Sequence, residues 1–99
     1  MKKKLREAIE KCGWTIQSDT CITICTDTTG REYCIECNEP NELIDTIKNQ
    51  YECYDVDEEV ELYLEAKKNG LQGVPTARIL VKDCEEIEEL LEKLYNAVC

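Results

Sequence analysis

Seven residues, Ala77, Leu80, Cys84, Ile87, Leu91, Leu94 and Val98, keep a 3-4 spacing through six consecutive steps. An α-helix turns every 3.6 residues, so this spacing predicts one long helix from Thr76 to about Ala97 with a single stripe to bury. Glu85, Glu88, Glu89 and Glu92 fall together on the opposite face. No other part of the chain carries so sustained a period.

Upstream the period changes twice. Leu5, Ala8, Ile9 and Cys12 have helical spacing, and Gly13 follows as a stop. Trp14 to Gln17, Thr20 to Thr26 and Glu32 to Cys37 then alternate as strands, with Asp27-Thr28-Thr29-Gly30 as a turn by composition. In the middle strand Ile22 and Ile24 share one face, and Cys21, Thr23 and Cys25 the other. Helical spacing returns after Asn38-Glu39-Pro40-Asn41, with Leu43, Ile44, Ile47 and Tyr51 as the stripe. A further helix opens at Asp55 or Asp57, buries Val60, Tyr63 and Leu64, and stops at Asn69-Gly70. Leu71-Gln72-Gly73-Val74-Pro75 reads as the linker to the long helix. The expected architecture is one α+β domain over residues 1–99: a helix, a three-stranded antiparallel meander, then two to three helices (αβββααα).

Charge narrows the function. The 99 residues hold 22 Asp/Glu and 12 Lys/Arg. Up to Cys34 there are five acids and six bases, whereas Ile35–Cys99 hold seventeen acids and six bases. Seven acids and no base lie between Glu52 and Glu65, and six acids lie between Asp83 and Glu92. Such a field repels nucleic acid and anionic membrane and favours a partner with a basic surface. The acids of the long helix also suit an ordinary solvated face, with Glu89 and Lys93 as an i,i+4 pair. The Glu52–Glu65 run is different, because its repulsion has no local offset. No apolar stretch suggests a leader or a membrane span, so a cytoplasmic location is expected.

Most of the eight cysteines fit reduced thiols used as small apolar residues, with disulfides and metal ligation as the alternatives. Cys21-x3-Cys25 and Cys34-x2-Cys37 resemble the halves of a zinc site at a glance, but strand geometry turns Cys34 and Cys37 to opposite faces. Cys21 and Cys25 can meet one of that pair, not both, without a bulge. Neither a metal nor any other cofactor is expected. Catalysis is not expected either. Histidine is absent, Ser18 is the sole serine, and all four glycines fall at element ends rather than in a phosphate loop.

The order of elements resembles the small phage-encoded anti-CRISPR proteins that inhibit the type II CRISPR effector nuclease as DNA mimics. The parallel spans Leu5 to Glu65. It covers the leading helix, the strand Trp14-Thr15-Ile16, the return Gly30-Arg31-Glu32-Tyr33, the helix Asn41–Tyr51 and the acidic segment Tyr54-Asp55-Val56-Asp57-Glu58-Glu59. The run from Tyr54 to Leu94, with Gly73-Val74-Pro75 before a helix, also looks like uncharacterised small proteins of prophages and conjugative elements in gut Firmicutes. The long helix has no counterpart in the smallest DNA-mimic inhibitors.

The resemblance implies a mobile-element inhibitor whose carboxylates stand in for DNA phosphates on an effector–guide RNA complex. By position these are Glu36, Glu39, Asp55, Asp57, Glu58 and Glu59, extended by Glu61 and Glu65. Carboxylates are acceptor-only and can receive arginine in bidentate fashion. One alternative is a protein-interaction or homodimer module in which Ala77, Leu80, Cys84, Ile87 and Leu91 pair between chains as a short coiled coil, and a third is a small zinc-binding domain.

Overall fold

The computed structural model describes residues 1–70 and 76–99, and the expected linker Leu71–Pro75 lies outside the described residues. The elements are α1 (Lys3–Lys11), β1 (Thr15–Ser18), β2 (Cys21–Cys25), β3 (Glu32–Glu36), a 3-10 turn (Pro40–Glu42), α2 (Leu43–Cys53), α3 (Val56–Lys68) and α4 (Ala77–Val98). This is the expected α+β order, αβββααα. No helix among the described residues is long and apolar enough to cross a membrane.

The 22 residues of α4 make a rod of ~33 Å at ~1.5 Å per residue. The molecule is correspondingly drawn out, 44 × 24 × 22 Å. α1, α2 and α3 all pack on α4, while α1 also meets β1 and α2 meets β3. Leu80, Cys84, Ile87, Leu91 and Leu94 are buried, so the periodic stripe is consumed inside one chain. That removes the expected coiled-coil face. Ala77, which begins the stripe on paper, is exposed, as is the neighbouring Ile79.

The sheet has the order β1-β2-β3, antiparallel throughout. Ile22 pairs with Ile35 and Ile24 with Tyr33, which aims them at the helices. They join Ile9, Trp14, Leu43, Ile47, Ile87, Leu91 and Leu94 in one core cluster. Trp14 sits just before β1 and donates its indole N–H to the Leu90 carbonyl at 3.4 Å, so its one polar atom is satisfied. Between Ile16 and Ser18 the β1–β2 register slips by one residue. That bulge closes the short turn into β2.

Three expectations are corrected. Ile44 is 40% exposed, because the apolar side of α2 is narrowed to Leu43 and Ile47. α3 contributes no fully buried residue, so Val60, Tyr63 and Leu64 only half-cover a neighbour. Most thiols are not fully buried either, although Cys12 and Cys37 pack against the core. Only Cys84 is buried; Cys12, Cys21 and Cys37 are half-buried, and Cys25, Cys34, Cys53 and Cys99 are exposed. The strands explain part of this, since Cys21, Cys25 and Cys34 occupy the sheet face turned from the core.

A candidate protein-interaction surface

The acids of this chain divide into those that hold the fold and those left over. Asp83 is the clearest of the first kind, only 1% exposed in α4. It accepts from Thr26 Oγ1 at 2.5 Å, Thr29 Oγ1 at 2.7 Å and Arg31 Nε at 2.7 Å. Burial alone would raise this carboxyl, but the donors outweigh burial and hold it below the usual range. Arg31 is likewise opposed by burial yet held above its ordinary value by Asp83. Its other arm donates to the Tyr63 hydroxyl at 2.7 Å, with the guanidinium carbon 5.2 Å from that ring's centre.

One helical turn on, Glu86 grips the same hairpin tip. It accepts from the Asp27 N–H at 2.6 Å, the Thr28 N–H at 3.0 Å and the Thr28 hydroxyl at 2.7 Å. Partial burial opposes the charge, and these three donors lower the carboxyl nonetheless. Residues three apart on a helix are neighbours, so Asp83 and Glu86 together clamp the β2–β3 turn to α4. Gly30 makes the turn possible, at φ 73° with its N–H on the Thr26 carbonyl at 2.9 Å.

Asp55 is the third structural acid. It caps α3, accepting from the Asp57 N–H at 3.0 Å and the Glu58 N–H at 3.4 Å. Extended backbone at Tyr54 and Asp55 forms the two-residue link that redirects the chain from α2 into α3. The Tyr54 ring meets Tyr33 edge-on at 6.2 Å, and Tyr33 meets Trp14 in the same way at 6.3 Å. The Tyr54 hydroxyl is buried without a hydrogen-bond partner. Burial first, and Cys84 beside it, push this phenol upward, so it stays neutral.

That link and α4 enclose a concavity of about 670 Å³. Glu52, Asp55 and Asp57 line one side, Glu85, Glu88 and Glu89 the other, and no Lys or Arg is among its walls. Two acid runs some thirty residues apart in sequence thus share one hollow. Glu85, Glu88 and Glu89 can share it because an i, i+3, i+4 set lies on one helix face. Glu89 forms no ion pair with Lys93. Exposed pairs of that kind contribute only ~0.3–0.5 kcal/mol, too little to hold two flexible side chains together.

The sequence-derived residues do not form one patch. Asp55 and Asp57 face the hollow, with Asp55 engaged as a cap. Glu58 is exposed and Glu59 half-buried. Asp57, Glu61 and Glu65 are exposed and continue along α3 at i,i+4 steps of ~6 Å. The last two border a second hollow with Lys68. Glu39 is exposed ahead of the 3-10 turn. Glu36 ends β3 beside Cys21 and Cys34, on the outer sheet face. Sequence reasoning passed over Glu85, Glu88 and Glu89 as a solvated face. Their only signal was the absence of a base between Asp83 and Glu92. The chain matches no protein-family model, no curated protein and no solved structure.

Proposed function

We propose that this protein is a mobile-element-encoded inhibitor of a host nucleic-acid-binding defence protein, acting without catalysis as an acidic DNA mimic. The partner is the basic DNA-binding surface of a type II CRISPR effector–guide RNA complex in the bacterial cytoplasm. One observation carries the reading: Asp57 of α3 and Glu85, Glu88 and Glu89 of α4 converge on a cation-free hollow. Like charges ~6 Å apart repel by roughly 0.7 kcal/mol even at the dielectric of water. Carboxylates kept together against that repulsion suit the arginine and lysine side chains that read a short DNA duplex. Glu58, Glu61 and Glu65 extend the anionic strip along α3, and the order of elements resembles known DNA-mimic inhibitors.

A competition assay tests it. The purified protein is titrated into an effector–guide RNA complex holding a labelled target duplex, at two salt concentrations. Duplex release at low salt, relieved as salt shortens the Debye length from ~10 Å to ~3 Å, is the expected result. Retention of the duplex by several effector orthologues at saturating protein overturns the assignment.

A further inference from the structure

A second cluster lies on the outer face of the sheet, and none of its residues lines the acidic hollow. Cys21 pairs across the β2–β3 ladder with Glu36, and Cys34 lies two residues before Glu36 on the same face. The two Sγ atoms are 3.3 Å apart. Glu36 Oε1 lies 3.7 Å from Cys21 Sγ and 3.8 Å from Cys34 Sγ. All three potential ligand atoms lie within 4.8 Å of one another.

We propose that Cys21, Cys34 and Glu36 form a binding site for a thiophilic divalent cation of the Zn²⁺ class. A tetrahedral Zn²⁺ with Zn–S of ~2.3 Å and Zn–O of ~2.0–2.2 Å sets its sulfurs about 3.8 Å apart and sulfur from oxygen about 3.5 Å apart. The observed sulfurs are about half an ångström closer and the sulfur–oxygen distances a few tenths longer, within the reach of small side-chain rotations. The backbone needs no rearrangement, because the hydrogen-bonded ladder already holds the three residues on one face. Two thiolates with one carboxylate favour zinc or cadmium over magnesium or calcium, which prefer all-oxygen shells. The half-buried Cys21 and exposed Cys34 leave the fourth position to water. Binding one cation displaces two thiol protons to solvent and leaves no other change in the ligands.

Cysteine spacing alone points elsewhere. Cys25 stands opposite Glu32 at the far end of β2, and the Cys37 thiol turns to the carbonyls of Thr20 and Glu39 at 3.6 and 3.1 Å. The four-thiolate arrangement is therefore absent, and a mixed S2O set takes its place.

Zinc and cadmium titrations of the reduced, full-length chain test the site, read by isothermal calorimetry and by the cadmium–thiolate ultraviolet band. One equivalent should bind the wild type. Cys21→Ser/Cys34→Ser should lose that equivalent, Glu36→Gln should weaken it at least tenfold, and Cys25→Ser/Cys53→Ser should keep it. Amide NMR shifts of the wild type on zinc addition should centre on residues 20–23 and 34–37, a readout that needs no variant to fold. No stoichiometric binding by the wild type overturns the proposal, as does equal binding by Cys21→Ser/Cys34→Ser or shifts centred on the acidic hollow. Metal uptake is measured without any partner, so its failure is separate from failure of the mimic reading.

Discussion

Arg31 and Asp83 meet at 2.7 Å, Nε to Oδ2, although 52 residues separate them in the chain. Asp83 is almost wholly buried while Arg31 keeps a partly exposed flank, so the carboxylate depends on the contact more than the guanidinium does.

Arg31→Ala should therefore be among the most damaging single substitutions outside the apolar core. It strands the buried Asp83 carboxylate with only the Thr26 and Thr29 hydroxyls as donors. Breaking a buried pair from one side costs about 3–5 kcal/mol. In a domain of this size each kcal/mol lowers Tm by roughly 4–8 °C. Thermal melts followed by circular dichroism measure it, and a drop below about 4 °C contradicts the role given to Asp83.

The same contact sets the acid limb of stability. The Asp83 and Glu86 carboxyls are lowered in the folded state, so each protonates more readily once the chain unfolds. Their stabilisation is present in full above the ordinary carboxyl range near pH 4 and is lost as pH falls through the lowered folded values. Urea midpoints taken from pH 6 to pH 2 should fall steeply for the wild type. Asp83→Asn/Glu86→Gln should start lower and fall less.

Gly30→Ala isolates the backbone contribution of the clamped turn. An added Cβ would meet nothing within 4 Å, yet φ is +73°. The cost is then conformational alone, about 1–2 kcal/mol, and chemical denaturation at neutral pH reads it directly.

Glu85→Lys/Glu88→Lys/Glu89→Lys separates binding from folding in the acidic hollow. All three side chains are exposed, and reversal relieves repulsion with Glu52 and Asp57. Tm should hold or rise slightly. Partner affinity should fall about 100-fold, at ~1 kcal/mol per carboxylate. Asp57→Lys/Glu58→Lys/Glu59→Lys should abolish binding at the other wall, although half-buried Glu59 makes that variant the less stable of the two. Normal effector binding by both variants would rule out this surface.

Local pattern and tertiary arrangement were unequally legible. The stripe of α4, the alternation of β2 and the Asp55 cap are properties of neighbours in sequence, and all three stand in the fold. Asp83 escaped because it reads as one more member of an acid run, although it lies three residues from Leu80 and beside Cys84 on the buried side. Glu85, Glu88 and Glu89 meet Asp57 only through the packing of α3 on α4, which no local period encodes. Cys21 and Cys34 meet through a strand register fixed by the turn at Gly30, whereas the sequence says only that one of Cys34 and Cys37 can meet Cys21 and Cys25.

The position of α4 in the chain has a consequence for biosynthesis. Ile87, Leu91 and Leu94 fill the centre of the molecule, yet a ribosome makes them after the sheet and α1–α3. A nascent chain ending before Ala77 has the meander and three helices but lacks the rod on which they pack. At ~5–20 residues per second, those earlier segments wait a few seconds in solvent for their interior. The meander's apolar face is then open to chaperones until α4 has been made and packs on it.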